Sequence, residues 1–144
     1  MADFNVAFNR TVAAEGGYVN DPDDKGGETY MGISRKFHKN SIIWSVIDKL
    51  KKQYKGKALN KILLENNTVQ KAIKEIYKDE YWDVLCLDYV HNQKLANEIF
   101  DDAVNRGVKS TIKIVQKILG MTVTGIISDE LIYNLKHYKN GKCN

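Results

Sequence analysis

Apolar residues recur every three or four positions along most of this chain, which is the spacing of amphipathic helices. Three apolar residues spaced four apart, Phe4, Phe8 and Val12, predict a first helix over residues 3 to 14. Further stripes predict helices around residues 43–50, 59–63, 69–77, 95–104, 112–119 and 131–135. We expect Thr68 and Ser128 to be N-caps, and Gly107 and Gly120 to end their helices.

The segment between residues 16 and 33 lacks this period. Glycine and proline recur there among Asn and Asp, at Gly16, Gly17, Pro22, Gly26, Gly27 and Gly32. This is the chemistry of turns, and we expect Gly16 and Gly17 to end the first helix. Two short segments, Tyr18-Val19 and Thr29-Tyr30-Met31, predict a small β-hairpin. The pattern therefore predicts a mainly α fold with a small β-hairpin and loop near the N-terminus.

Composition and charge narrow the function classes only slightly. The 144 residues are 43% hydrophobic and 28% charged, which is typical of a single globular domain. A net charge of +4 favours anionic partners in general. The lysine-rich stretch from residue 49 to 61 is typical of a solvated helix face. A helical nucleic-acid-binding domain is the alternative suggested by charge, but nothing in the Asp-rich loop supports it, and we expect no nucleic-acid partner.

The cysteines and the lengths of the apolar runs argue against a metal-binding protein and a membrane-spanning protein. Cys86 lies in an apolar run and Cys143 near the chain end, and no His joins them at zinc-ligand spacing, so we expect no metal site. No run of about 18 apolar residues is present, so we expect no stable membrane insertion. The N-terminus lacks the basic start and apolar stretch of a secretory signal, which predicts synthesis in the cytoplasm without a signal peptide.

One charged residue interrupts the apolar face of the first predicted helix. Glu15 follows Val12 by three residues and Phe8 by seven. Partial burial and the negative end of a helix both disfavour the ionised form of a carboxyl group. A carboxyl that keeps its proton at neutral pH is what a general acid requires. The alternative is a Glu15 that points into water or pairs with a lysine.

Further oxygen-bearing side chains follow Glu15 within fourteen residues. Glycoside hydrolysis needs, besides an acid, a carboxylate that activates water or faces the positive charge of the transition state. Asp24 is our first choice for it, and Asp21 and Asp23 remain open; Thr29 is a candidate to orient the water.

A calcium-binding loop is a competing interpretation of the same aspartates. The sequence from Asp21 fits an EF-hand at three positions, but Lys25 and Gly32 fall where ligands are required. Structural Asx turns are a further alternative for these aspartates.

The segment from Glu15 to Ile33 combines EGGY, NDPxD and GGxTxxGI elements, and it resembles the signature of glycoside hydrolase family 108. That family comprises N-acetylmuramidases of phages and bacteria, some of them called secretion activators. Weaker similarity continues through residues 72–82, 101–107 and 116–125. The C-terminal part departs from the family pattern, because residues 124–128 lack its Asp and its second Gly.

The resemblance implies a lysozyme-like helical fold, with Glu15 as the catalytic acid. The spacing from Glu15 to Asp24 and from Asp24 to Thr29 is similar to the Glu, Asp, Thr spacing of phage lysozymes, but the interval from Asp24 to Thr29 is one residue shorter. The implied activity is cleavage of the glycan strands of peptidoglycan without a cofactor. It also implies a lysozyme-like catalytic region over residues 1–107 and a C-terminal helical segment over residues 108–144, similar to peptidoglycan-binding segments and packed on the same domain.

The implied substrate suggests where the protein acts and what it contacts. We expect action in the periplasm or at the cell wall after release by a holin or a secretion apparatus, and we expect a monomer. Candidate sugar contacts are the rings of Tyr18, Tyr30, Tyr81 and Trp82 and the amide of Asn105. For Tyr81 and Trp82, a role as core anchors is the alternative.

Two alternative functions remain at this point. The first is a non-catalytic wall-binding or secretion-assisting protein on a lysozyme-like scaffold. The second is a lytic transglycosylase, which also uses a single Glu but releases an anhydro product.

Overall fold

The computed structural model describes residues 1–13, 15–23, 25–139 and 142–143, the last two by their backbone alone. Its described residues form seven α-helices: α1 Phe4–Val12, α2 Ile42–Leu50, α3 Gly56–Glu65, α4 Asn67–Tyr77, α5 Gln93–Arg106, α6 Val108–Ile118 and α7 Asp129–Lys136. A π-helical turn, Lys78–Asp83, continues α4, and a 3₁₀ turn covers Leu87–Tyr89. The predicted mainly α fold is confirmed.

Five short strands complete the secondary structure of the described residues. They are β1 Tyr18–Asn20, β2 Glu28–Tyr30, β3 Ile33–Ser34, β4 Tyr138–Lys139 and β5 Lys142–Cys143. β1, β2 and β3 form an antiparallel sheet in that order, with Tyr18 opposite Tyr30 and Thr29 opposite Ser34. The predicted hairpin is therefore present, and the sequence pattern did not predict β3 or the β4–β5 pair.

The chain divides into two compact units. We call Val12–Ile76 the sheet unit, and Met1–Thr11 with Tyr77–Asn144 the aromatic unit. Both α5 and α6 belong to the aromatic unit and pack on each other. A functional division between residues 1–107 and 108–144 stays a prediction.

The sheet unit buries apolar side chains from its sheet and its helices. Trp44 of α2 is buried and donates from its indole Nε1 to the carbonyl oxygen of His38, 2.9 Å away. Tyr30 and Ile33 are buried from the sheet, and Leu59 and Leu63 from α3. This packing fixes the sheet on the helices that follow it in the chain.

The aromatic unit has a core of interlocking rings. Phe4 contacts Trp82 at 5.6 Å and Phe100 at 5.9 Å between ring centroids, both edge to face. Trp82 and Phe100 also meet edge to face at 5.9 Å. Edge-to-face pairs of this kind stabilise a core by about 1 kcal/mol each beyond their buried area.

Several predicted helix boundaries are confirmed and two are wrong. Ser128 caps α7 by accepting from the Leu131 backbone N–H at 3.2 Å, and α5 ends at Gly107 as predicted. Thr68 is not the cap of α4, because the side chain of Asn66 accepts from the Val69 N–H at 3.0 Å. α1 ends at Val12, so its predicted extension to residue 14 is also wrong.

Gln116 of α6 fixes the irregular loop that follows its helix. Its buried side-chain oxygen accepts from the backbone N–H groups of Thr124 and Gly125, both at 2.9 Å. Its Nε2 donates to the Thr124 hydroxyl at 2.9 Å and the Ile126 carbonyl at 3.2 Å. One side chain thus satisfies backbone and side-chain groups of three successive loop residues.

Among the described residues, no helix is both long enough and apolar enough to cross a membrane.

Candidate active site

Glu15 lies in the turn that follows α1. Its backbone N–H donates to the Val12 carbonyl at 3.0 Å, which closes a tight turn directly after the last helical residue. The prediction that Glu15 shares the apolar face of the first helix is therefore wrong, since α1 ends three residues earlier. The side chain is nevertheless half-buried.

A cavity of about 350 Å³ opens beside this turn, within the sheet unit. Val12, Ala13, Met31 and Leu64 give it apolar walls, and Tyr30 and the two glycines after Glu15 complete most of its surface. Glu15 and Asn60 add the polar side chains. Apolar walls with a few polar groups are typical of small-ligand sites.

The Glu15 carboxyl has no competing partner within the described residues. It makes neither a hydrogen bond nor an ion pair there. No described buried side-chain oxygen or nitrogen lacks a partner, so the half-buried Glu15 oxygens reach solvent. The group is therefore available to a ligand that enters the cavity.

Asn60 of α3 holds the chain just beyond Glu15. Its Oδ1 accepts from the backbone N–H of Tyr18 at 2.9 Å. The same amide lies so close to Gly17 that a Cβ at this position would overlap with it. Gly17 is therefore required by close packing, and Gly16 meets no such neighbour.

Gln70 of α4 contacts two residues of the cavity lining, Tyr30 and Met31. Its Nε2 donates to the Tyr30 hydroxyl at 3.0 Å and to the Leu63 carbonyl at 3.0 Å, and it lies 3.9 Å from the Met31 sulfur. Met31 has a φ of 46°, in the left-handed region that non-glycine residues rarely adopt. Burial raises the pKa of Tyr30, so its hydroxyl stays protonated at neutral pH.

A second carboxylate of the same unit, Glu28 on β2, has several partners. The Tyr18 hydroxyl donates to its Oε1 at 2.8 Å, Arg35 Nη1 to its Oε2 at 3.0 Å, and Lys51 Nζ to its Oε1 at 3.4 Å. Burial by itself would raise the pKa of Glu28. The hydrogen bonds from Tyr18 and Arg35 and the charges of Lys51 and Arg35 outweigh burial and hold the pKa below its ordinary value.

Asp48 of α2 extends this group into an ionic cluster, which we define as Tyr18, Glu28, Arg35, Asp48 and Lys51. Both oxygens of Asp48 accept from Arg35, at 2.8 and 2.7 Å, and Lys51 Nζ lies 3.1 Å from Oδ1. The bidentate Arg35 holds the pKa of Asp48 well below its usual range. The cluster ties the sheet to α2, and its charges neutralise one another.

Of the loop aspartates, Asp21 has a local structural role. Its Oδ1 accepts from the Asp23 backbone N–H at 2.9 Å, which is an Asx turn, and both residues are exposed. Asp24 lies outside the described residues. Thr29 lies in β2 opposite Val19, and it does not line the cavity. A catalytic role for Asp24 or Thr29 stays a prediction.

The structure separates the predicted aromatic contacts. Tyr30 lines the cavity, while the Tyr18 ring belongs to the ionic cluster. Tyr81, Trp82 and Asn105 lie in the aromatic unit.

Each of these three residues has its own partners. Trp82 is 0% exposed and donates to Asp88 at 2.7 Å, so it is a core anchor and cannot stack on a sugar. Tyr81 stacks on Tyr77, and Asn105 donates to the Asp101 carbonyl at 2.8 Å.

Asn60 and the partners of Glu28 were not predicted from the sequence. Arg35 and Lys51 belong to no recognisable motif. Asn60 lies within the lysine-rich stretch of residues 49–61, which the sequence pattern assigned to a solvated helix face. The glycine pair at 16 and 17 was the available signal, because a second glycine beyond the one that ends a helix often indicates close approach of another group. Among described residues, no group of three or more His, Cys, Asp or Glu could hold a metal ion.

The sequence matches the family described as Glycosyl hydrolase 108 over residues 8–107, which is more than half of the chain. The chain belongs to this glycosyl hydrolase family. Glu15, the cavity and the ionic cluster all lie within the matched residues.

Among solved structures, the glycosyl hydrolase chain is similar to SagA of Brucella abortus. The TM-score is 0.61 and the sequence identity 25%, over 94% of this chain and 70% of the SagA chain. No protein with a curated description matches significantly. The predicted family and lysozyme-like fold are confirmed, and family membership supports a glycosidase with peptidoglycan hydrolysis or a related activity.

Proposed function

We propose that this protein is an N-acetylmuramidase that hydrolyses the bond between N-acetylmuramic acid and N-acetylglucosamine in peptidoglycan. Glu15 is its general acid. The observation that carries this proposal is the position of Glu15, half-buried in an apolar-walled cavity within the family-matched region and without a partner among the described residues.

The reaction requires one proton and one water molecule. The Glu15 carboxyl transfers its proton to the glycosidic oxygen as the bond from that oxygen to the anomeric carbon breaks. A second carboxylate activates the water or faces the positive charge at the anomeric carbon. Asp24 is the first choice for it, ahead of Asp21 and Asp23, and Thr29 is proposed to orient the water. The reaction needs no metal or cofactor.

The surroundings of Glu15 leave its carboxyl free to act on a ligand. The walls of the cavity beside it are mostly apolar, and no described cation pairs with the carboxyl. An ion pair of the kind made by Glu28 would instead occupy its oxygens. Tyr18, Tyr30, Tyr81 and Asn105 remain proposed sugar contacts.

The proposed place of action is the cell wall or periplasm, with release by a holin or a secretion apparatus and action as a monomer. A wall-binding protein without catalysis is the competing function, and the experiment below distinguishes it. Purified sacculi are incubated with the native protein, with Glu15→Gln and with Glu65→Gln. Glu65 is an exposed carboxylate of the same unit and provides the matched control.

We expect the native protein and Glu65→Gln to release muropeptides with new reducing ends. Glu15→Gln should be at least about 100-fold slower, because general acid catalysis contributes about 10²–10⁴-fold. The proposal fails if the native protein binds sacculi without new reducing ends, which indicates a binder. It also fails if mass spectrometry finds anhydro products, which indicate a transglycosylase, or if Glu15→Gln keeps full activity.

A further inference from the structure

We propose that Asn60 recognises the 2-acetamido group of a sugar bound in the cavity, by donating a hydrogen bond from Nδ2 to the acetamido oxygen. This inference rests on the proposed function, since it assigns an N-acetylated sugar to the cavity that Glu15 lines. It adds a substrate-contacting residue on α3, outside the segment that carries Glu15 and the loop aspartates.

The backbone of β1 fixes which way the Asn60 amide points. An amide side chain has one acceptor end and one donor end, and its orientation follows from its hydrogen bonds. The Tyr18 backbone N–H can only donate, so the group that faces it at 2.9 Å must be Oδ1. The donor end, Nδ2, therefore points away from that N–H.

The donor end is available to a ligand. Within the described part of the chain, Nδ2 has no hydrogen-bond partner. Every described buried side-chain nitrogen has a partner, and Asn60 is half-buried, so an unpaired Nδ2 must reach solvent. Since Asn60 lines the cavity, this donor is offered to whatever occupies it.

The rest of the cavity complements an acetamido group. An acetamido substituent has a carbonyl acceptor and a methyl group at opposite ends of a flat unit. The cavity provides the Asn60 donor together with the apolar side chains of Val12, Met31 and Leu64. Its volume of about 350 Å³ lies at the lower end of the range of about 300–1,000 Å³ found for ligand pockets.

A binding experiment with two matched probes tests the assignment. Tetra-N-acetylchitotetraose and cellotetraose share one glycan backbone and differ in carrying acetamido or hydroxyl groups at C2. Asn60→Asp keeps an acceptor for the Tyr18 N–H but replaces the donor by an oxygen. Asn40→Asp, at an exposed position of the same unit, introduces the same charge as a control.

We expect Asn60→Asp to bind the acetylated probe about five- to tenfold more weakly, as the loss of one hydrogen bond predicts. Its affinity for cellotetraose should change by less than about twofold, and Asn40→Asp should change neither. In ¹⁵N spectra of the native protein, the side-chain amide signal absent from Asn60→Asp should shift when the acetylated probe is added. Equal weakening for both probes, or no weakening, would overturn the assignment.

The outcome separates this inference from the proposed function. Cleavage of sacculi by the native protein with an unchanged probe preference in Asn60→Asp rejects the role of Asn60 alone. If Asn60→Asp loses the preference for the acetylated probe but the native protein does not cleave sacculi, the muramidase activity is rejected and recognition of the acetamido group by Asn60 is retained. Thermal unfolding of Asn60→Asp checks that the turn remains folded.

Discussion

Two glutamates of the sheet unit, Glu15 and Glu28, have opposite surroundings. Both are only partly exposed and both belong to the segment that matches the family. Glu28 accepts hydrogen bonds from Tyr18, Arg35 and Lys51, which hold its pKa below the ordinary value. Glu15 faces apolar walls and has no partner among the described residues.

The difference shows how one small unit assigns structural and chemical roles to the same residue type. A carboxylate whose oxygens are saturated by donors is stabilised in its charged form and has no site left for a substrate. A carboxyl that lacks donors retains its capacity to bind a ligand oxygen and transfer a proton. Partner count, more than burial alone, separates the two glutamates.

The largest expected effect is a contrast between two substitutions: Glu15→Gln should affect activity, and Glu28→Gln should affect stability. Glu15→Gln should lower sacculus hydrolysis at least about 100-fold and leave stability nearly unchanged. Glu28→Gln should lower the free energy of unfolding by about 2 kcal/mol, because Arg35 and Lys51 lose the negative charge and one of the two acceptor oxygens of the carboxylate. Urea denaturation and release of reducing ends measure the two effects. The comparison is contradicted if Glu15→Gln proves the less stable variant.

A smaller effect on stability is expected where the Asn60 amide packs against Gly17, in the turn that follows α1. Gly17→Ala places a methyl group against the Asn60 amide and should cost about 1–3 kcal/mol of stability, as overpacking does. Hydrolysis should fall with it, since Glu15 and the amide move apart. Gly16→Ala is the matched control, because a Cβ there meets no neighbour. Equal stabilities of the two variants would show that the close approach has no cost.

The ionic cluster also predicts a dependence of stability on pH. The folded pKa of Glu28 lies below its ordinary value of 4.5, so its pairing contributes fully above pH 4.5. That contribution is lost as the pH falls below 4.5 through the folded pKa, because the unfolded chain takes up the proton first. Glu28→Gln should therefore lose less stability than the native protein between pH 5 and pH 3. Parallel curves from thermal unfolding would contradict this.

The smallest effect is expected at Tyr18. Tyr18→Phe keeps the ring but removes the hydroxyl that donates to Glu28 at 2.8 Å. The free energy of unfolding should fall by only about 1 kcal/mol, since Arg35 and Lys51 still pair with the Glu28 carboxylate. Chemical denaturation at neutral pH measures the change. A loss as large as that of Glu28→Gln would mean that the hydroxyl, not the cations, dominates the cluster.

Most of the helical fold could be predicted from the sequence because it depends on local features. The cap at Ser128 and the end of α5 at Gly107 each involve residues adjacent in the chain. The start of α4 was placed wrongly for a related reason. Asn66 and Thr68 are both good caps by type, and in the structure the side chain of Asn66 accepts from the Val69 N–H.

The candidate site could be predicted only in part. Glu15 stood out because it breaks an apolar pattern, whereas Asn60 is 42 residues from its partner Tyr18 and breaks no pattern. Lys51 is likewise 23 residues from Glu28. Such contacts arise from tertiary packing, and no local spacing rule specifies them. The burial of Trp82 has the same origin, since an aromatic residue suits a sugar platform and a core equally well.

Gln116 has a consequence for how the C-terminal segment tolerates sequence divergence. Most of its hydrogen bonds go to main-chain groups of residues 124–126, which almost any amino acid supplies. The departures from the family pattern, at Thr124 and Ser128, therefore leave these main-chain hydrogen bonds in place. We therefore expect substitutions to be tolerated more readily at the loop residues than at Gln116, whose side chain holds the loop backbone in place.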